Sequence, residues 1–537
     1  MDYGAKGDGA TDDRAAIVSA LTAAAPSCGT VYFPASHTFL VNSNPDSGLY
    51  NNAIFKRPPC VSLDGFGTIE IGNKLSFNCL FYTARETGAV IENVTINANG
   101  QNNPVTAPYK TNYNSGRIID VEGGQNMTIQ NVTIENFNGQ QGISVDVVNN
   151  QRILNNHFIS LGVGGSSRND TSTFYLDGDT KVISGNVCDG AGEAVNTCIE
   201  FHGSHNTVTG NQAKNVGSCF AYEPNISAGT PGIDNVVLSN TCFAANEGIW
   251  LYTILGPISG MQITGNKFVI DRNLAAKSNG PGFLPVGNEA CIAWTPAPVY
   301  GILNLNISDN NCSFAHETAT YPATQGLGGI IIEDNQPFSG TVQTIQNLTI
   351  ADNSISNSPA VGIGLIGSQA TVSSTTIRDN TILNPGQERG ETNPFRFGIY
   401  LQHNIFGPSV SVEDNQLIDN QATPTMAYAI AWLGQAGDNA PLYARSVNNT
   451  VKYASYPAKP PWRYDQSAPY VDEEIRGFEA NRAAVFTGTY ASGQYPPLGS
   501  QILDPSTGNT WCNAASNGSN WGRQPCAAAE QSQHPDD

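Results

Sequence analysis

The sequence predicts an all-β solenoid, a parallel β-helix, and three observations predict it. A short strand pattern centred on asparagine recurs along most of the chain. A second strand of alternating polarity follows each copy. Composition suits turns better than helices: of 537 residues 55 are glycine and only 13% are charged, which favours short strands joined by tight turns. Length alone, at about 150 residues per domain, would suggest three or four domains, but the repeat overrides that estimate.

The first pattern reads ILNNHF at 153, ISGNVC at 183, VTGNQA at 208, ITGNKF at 263, IADNSI at 350, IRDNTI at 377 and VEDNQL at 412. Its marker asparagines, Asn131, Asn156, Asn186, Asn211, Asn240, Asn266, Asn310, Asn353, Asn380 and Asn415, are spaced by 25 to 44 residues. A period near 25 with insertions is that of a solenoid whose extra residues leave as loops. Asparagine tolerates left-handed backbone angles, so each marker is expected at a corner between strands, with its side chain bonded to the next coil's copy. The Asn-x-Ser/Thr triplets thus generated are by-products of this structural column.

The second strand reads GISVD at 142, TFYLD at 173, CIEFH at 198, CFAYE at 219, GIWLY at 248, CIAWT at 291, GIIIE at 329, GIGLI at 362, GIYLQ at 398 and AIAWL at 429. Positions two and four are apolar in every copy. Because side chains alternate along a strand, these positions stack inward, and positions three and five face solvent. The outward columns contain Ser144, Tyr175, Glu200, Ala221 and Trp250, and Asp146, Asp177, His202, Glu223 and Tyr252.

The head DYGAKGDGATDDRAAIVSALTAA, followed by GTVYFP, resembles the opening segment of proteins of the pectin-lyase-like superfamily, which includes polygalacturonases, polysaccharide lyases and phage tailspike depolymerases. The resemblance implies a right-handed parallel β-helix whose open end is plugged by an N-terminal capping helix. Thr11 and Asp12 stand where that helix would be capped. The polygalacturonase set of Asn-Thr-Asp, Asp-Asp, Gly-His-Gly and Arg-Ile-Lys is absent from the coil, where the only Asp-Asp pairs of the chain, Asp12–Asp13 and Asp536–Asp537, do not fall. The tail from 488 resembles a small β-rich module that follows such coils. The expected organisation is a cap over 1–45, a catalytic β-helix over 46–455, a linker over 456–485 and the small C-terminal module over 486–537.

Coils stack about 4.8 Å apart, which places Asp146, Asp177, His202 and Glu223 in one vertical column with Glu200 beside it. The same spacing puts Asp177 and Glu223 about 10 Å apart between Cα atoms, and Glu200 about 8 Å from each. Such separations suit an inverting glycosidase, while Asp146 with Asp177, at about 5 Å, would suit a retaining one. Like charges stacked directly above one another destabilise a sheet, so the column implies a function. Asp177, Glu200 and Glu223 are the candidate acid and base, with His202 in support. Tyr175, Trp250 and Tyr252 are candidate stacking platforms for sugar rings, and Asp146, Glu333 and Gln402 candidate substrate contacts. Asp334 and His403 read like their neighbours Glu333 and Gln402; His205, beyond the turn, reads as ordinary surface. GLGG at 326–329 lacks the Lys-Ser/Thr of a phosphate loop.

The expected chemistry is hydrolysis of a polysaccharide without a cofactor. β-Elimination on a uronate, assisted by Ca²⁺ held by Asp146, Asp177, Glu200 and Glu223, is the alternative. It needs a base and a charge partner, and neither outward column carries Lys or Arg; loop residues Arg168, Lys214 or Arg396 would have to reach in. A non-catalytic glycan-binding or phage-adhesion protein is the third reading. A net charge of −20 disfavours nucleic acid and anionic membranes as partners. No run of 18 apolar residues predicts a membrane span. The opening MDYGAKGDGATDD carries no basic and apolar leader, so export would follow removal of a signal peptide. Eleven cysteines without a CxxC pair point to disulfides and a secreted, extracellular protein, and away from a tailspike assembled in a reducing cytoplasm. Cys512 and Cys526 are the expected pair, and one cysteine must remain over. Monomer and trimer both stay open.

Overall fold

A computed structural model describes residues 2–45, 52–103, 116–137, 139, 141–160, 172–190, 197–224, 229–275, 289–294, 300–315, 328–333, 344–366, 371–387, 396–402, 405–406, 410–426, 428–432, 444–453, 462–464, 471–474, 501–504, 509–513 and 523–525. The chain winds as a parallel β-helix. Each full turn has a long strand, a three- or four-residue strand, and a further strand that starts just after a ladder asparagine. The short strands form one continuous parallel sheet from Thr30–Tyr32 to Val471–Glu474.

Helix α1, Arg14–Ala24, plugs the first turn by burying Ile17 and Leu21 in the main core. Its N-cap position is Asp13, whose own side chain makes no cap hydrogen bond, while the Asp12 carboxylate accepts the amide of Arg14 at 3.2 Å. The Asp13 carboxylate instead accepts the amides of Lys6 and Gly7, which fixes the preceding turn. Asp12 holds the amide of Asn42 at 3.0 Å.

Five consecutive long strands build the region of interest: β1 Gln141–Asn149, β2 Ser172–Leu176, β3 Thr197–His202, β4 Gln212–Glu223 and β5 Thr241–Leu251. Their register aligns Ile143, Phe174, Ile199, Phe220 and Ile249 in one inward column and Val145, Leu176, Phe201, Tyr222 and Leu251 in the other. All ten side chains are fully buried, each contributing about 1.5–3 kcal/mol by leaving water. Alternation along the strand therefore sets the outward columns as expected.

The asparagine column is a buried ladder from Asn156 to Asn449. Each Asn from 156 to 415 donates its backbone N–H and its side-chain amide to the Oδ1 of the next, at 2.9–3.0 Å. Two details differ from expectation. Asn131 is not a rung: the amide bonded to Asn156 Oδ1 belongs to Val132. The left-handed residue is the one before each rung, among them Asn155, Ser239, Asp309, Asp352, Asp379 and Asp414. That residue turns the chain, which leaves the ladder asparagine free to point inward and bond.

Three disulfides, Cys188–Cys198, Cys219–Cys242 and Cys291–Cys312, staple the long strands to the strands after the ladder, and Cys28–Cys60 closes the head. Cys79 is the free, buried cysteine among the described residues; the Cys512–Cys526 pairing lies outside them. Strands Trp462–Tyr464 and Val471–Glu474 pair in parallel with the preceding turn, so coil pairing continues past residue 455 into the span assigned to the linker. Gln501–Asp504, Asn509–Asn513 and Arg523–Pro525 form a separate antiparallel sheet. Among the described residues no helix is long and apolar enough to cross a membrane.

Candidate functional site

On the outer face, one column runs Tyr82, Asp120, Ser144, Tyr175, Glu200, Ala221, Trp250 and Ala293. The second pairs Glu122 with Asp146 and His202 with Glu223. Asp177 follows the end of β2, its amide donating to Val145 O at 2.7 Å. The expected column of acids is thus assembled, but position five is not uniformly open to solvent. Asp146, Glu200, Glu223, Trp250 and Tyr252 are half-buried, whereas Asp177 and His202 are only 2% and 3% exposed. The Tyr175 ring lies 5.1 Å from the His202 ring, and Asp177 turns its carboxylate back onto the Gly178 amide at 2.7 Å.

Glu200 is the centre of the contacts. It accepts the Ser172 hydroxyl, and its Oε1 lies 3.3 Å from His202 Nε2. Burial opposes ionisation of Glu200, but His202 and Ser172 outweigh it and hold the carboxyl below its ordinary range. Burial likewise opposes the imidazolium, and the contact with Glu200, with the charges of Asp177 and Glu223, outweighs it and raises His202. Each of the two groups thus favours the charged form of the other. Glu223 lies one coil on, two residues further along its strand. Ala221, 5% exposed, stands in register between Glu200 and Trp250. Trp250 and Tyr252 form one aromatic wall, ring centroids 4.3 Å apart.

Acid clusters flank this centre on both sides. Arg117, buried, donates to Asp120 at 2.7 Å and lies 3.6 Å from Asp146. Burial pushes Asp146 up to about 6; Arg117 opposes the shift, and the charges of Asp120, Asp177 and Glu122 add to it. Glu122 accepts the Tyr82 hydroxyl at 3.0 Å. On the far side Glu247 accepts the Ser218 hydroxyl, and burial, with nearby Glu289, pushes it up to about 8 against the pull of Ser218. Among the atoms buried without hydrogen-bond geometry to a partner are Gln141 Oε1, Ser144 Oγ and both ring nitrogens of His202, whose Nε2 meets Glu200 only as the 3.3 Å ionic contact. Unpaired buried polar atoms cost about 1–3 kcal/mol each and call for a functional reason.

Other candidates fall away from this centre. Lys214 is engaged by Asp189 at 2.9 Å. Arg396 precedes a strand five turns beyond β4, about 24 Å along the stack, and Glu333 lies three turns beyond, about 14 Å. Position three there is covered and apolar, with Ala293, Ile331 and Tyr400 buried, so the polar strip ends near Trp250. His205 is exposed, 3.9 Å from Asp234, in keeping with a surface role. Arg168, Asp334, His403 and the Gln402 side chain lie outside the described residues. Among those described, no three His, Cys, Asp or Glu side chains converge as a metal site.

Ser172, Ser218, Glu247, Arg117 and Asp120 were not among the sequence candidates. The last two belong to an earlier copy, RIIDVEGG at 117, in the same register. The serines and Glu247 sit three residues before position three, a spacing that alternation alone places on the wrong face. Two successive inward residues, such as Cys198 and Ile199, restore them to the outside.

Comparison with known proteins agrees with the fold. A family model described as rhamnogalacturonase A/epimerase, pectate lyase-like, matches residues 1–45. No curated protein matches the chain. A mutant tailspike protein of E. coli bacteriophage HK620 superposes with a TM-score of 0.51 at 13% identity, covering 83% of this chain and 75% of that one. A second mutant of the same tailspike, in complex with a hexasaccharide, gives 0.50 at 13% identity over 85% and 76%. PfbA, a surface adhesin of Streptococcus pneumoniae, gives 0.41 at 17% identity over 79% and 92%. The two tailspike superpositions agree with the parallel β-helix seen in the strand pairing.

Proposed function

We propose that this chain is a secreted glycoside hydrolase that cleaves a polysaccharide lying across the outer face of β2 to β5. The observation that carries the reading is Glu200, held between Ser172 and His202 and joined on the same outer face by Glu223 one turn on, with the Trp250–Tyr252 pair on the turn after that. Glu200 acts as the base toward water and Glu223 as the proton donor to the leaving oxygen, the division of labour two carboxylates allow in an inverting enzyme. The aromatic wall binds a sugar face next to the bond that breaks. A tailspike sharing the coil has been captured with a hexasaccharide, which supports a glycan as the ligand. Four disulfides fit an oxidising compartment.

The electrostatics favour hydrolysis over β-elimination. The strip gathers Asp120, Glu122, Asp146, Asp177, Glu200 and Glu223, and Arg117, the arginine beside them among the described residues, is already held by Asp120 and Asp146. A uronate-rich chain would meet like charge along its whole length, so a neutral or amino-sugar glycan is the expected substrate. A panel of neutral, cationic and uronate polysaccharides tests this reading, with reducing ends and ultraviolet absorbance followed together. New reducing ends without an unsaturated product support hydrolysis. An absorbing product identifies a lyase, and tight binding without release of product identifies an adhesin.

A further inference from the structure

The inner corner after each long strand holds one buried residue per turn, immediately before the paired short strands Val90, Thr128, Arg152, Val182, Thr207, Val236, Gln262 and Asn306. Below the site this residue is Ala89 and then Met127, and above it Met261 and then Leu305, all apolar and at most 1% exposed. In the four turns between, it is Gln151, Lys181, Asn206 and Asn235, equally buried. Those four turns are the ones whose long strands carry Asp146, Asp177, His202 and Glu223.

Each polar corner residue grips the backbone where those strands end. Gln151 Nε2 donates to Val148 O and Asp177 O, both at 2.6 Å. Lys181 Nζ donates to Gly178 O and, at 2.6 Å, to His202 O. Asn206 Nδ2 donates to the same His202 carbonyl at 3.0 Å, and Asn235 Nδ2 to Gly203 O at 3.1 Å. Gly178, beside this contact, has φ +113, and a Cβ there would meet Val148 O at 2.1 Å, so the strand exit has a single tight path.

An apolar residue fits this corner elsewhere in the coil, since methionine fills it in the two turns that flank the four. Burying an ammonium is costly. Arg57, buried lower in the stack, is neutralised by Glu86, whereas the two bonds of Lys181 go to carbonyl oxygens. Burial pushes its pKa down to about 7 against the charges of Asp177 and Asp179.

We propose that the polar corner behind the site is a positioning element, and that Lys181 is its key residue, fixing the backbone from which Asp177 and His202 project. The proposal rests on the hydrolase reading. Lys181 touches no substrate; it sets the placement of His202, and through it of Glu200.

The test compares wild type, Lys181→Met, which copies Met127 and Met261, and Lys181→Gln, which copies Gln151, on the glycan that wild type cleaves. The expected result for Lys181→Met is a melting temperature at or above wild type, kcat lower by about 10- to 100-fold and KM within about twofold, as a sub-ångström misplacement would give. Lys181→Gln restores kcat to within a few-fold of wild type. A Lys181→Met protein with kcat within twofold of wild type overturns the proposal. So does one that fails to fold, since the corner is then a structural requirement. Glu200→Gln, run alongside, separates the two readings: full kcat there removes the site assignment, whereas full kcat in Lys181→Met alone leaves the site standing. A wild type that cleaves no glycan ends both.

Discussion

Glu200 and His202, two residues apart on β3, lie on the same outer face and meet at 3.3 Å between Oε1 and Nε2. Strand alternation brings them together without any loop, and the Phe201 between them locks the pair to the core. A carboxylate kept ionised in a mostly buried place is a costly arrangement that the Ser172 hydroxyl and the imidazolium offset.

Replacing this carboxylate should end catalysis while leaving the groove intact. Glu200→Gln is expected to lower kcat by about 100- to 10,000-fold, the range for a lost general base, with glycan affinity by calorimetry within a few-fold of wild type. Glu223→Gln should behave the same way.

Removing the imidazolium should change the pH response. Glu200 has a lowered folded pKa, so its stabilisation is present above its ordinary 4.5 and is lost as pH falls through the folded value. His202 has a raised one, so its stabilisation is complete below its ordinary 6.5 and is lost as pH rises through the folded value. The pair therefore contributes most between those two ordinary values. His202→Gln should lower the melting temperature most in that window, and should move the acid limb of kcat/KM to higher pH because Glu200 becomes easier to protonate.

The aromatic wall makes a prediction about binding alone. Trp250→Ala should raise KM by about tenfold, the worth of roughly 1.4 kcal/mol of sugar stacking, and leave kcat within a few-fold. Initial-rate kinetics on a defined oligosaccharide read both.

Glu247 makes a prediction about stability. With an ordinary value of 4.5 raised to about 8 in the fold, the folded protein binds the extra proton between those values. Stability falls as pH rises across that window, and the cost is complete above it. Glu247→Gln should therefore stabilise the protein by a few kcal/mol at pH 9 and change little at pH 4, as measured by denaturant unfolding at both.

The coil was legible in the sequence because its two signals are repetitive: apolar pairs such as Ile199/Phe201 and Phe220/Tyr222 recur in register, and so does the asparagine. The site was legible as a column, since Asp146, His202 and Glu223 occupy equivalent positions of successive copies. What stayed hidden depends on local departures from alternation. Double inward steps, at Thr173 and Phe174 after Ser172 and at Gly248 and Ile249 after Glu247, return those two residues to the outer face, out of reach of a period-two reading. The burial of Asp177 depends on its carboxylate turning back to a backbone amide, which no residue pattern announces. Lys181 is a single lysine in a short linking turn, and its meaning emerges only when Met127 and Met261 are seen to occupy the same corner.

The asparagine ladder makes turns interchangeable units. Each rung bonds to the next rung and to a backbone carbonyl of the adjoining turn, so a turn bounded by two ladder asparagines is held through its interfaces with its neighbours. Removing the turn from Ser354 to Asn380, which carries no cysteine, would join Asn353 to a chain continuing at Thr381, with Asn353 then facing Asn415 as it now faces Asn380. The strip from Asp120 to Trp250 would be untouched, because it lies on the other side of the cut. Such a scaffold can gain or shed length in whole steps during descent while its reactive surface stays where it was.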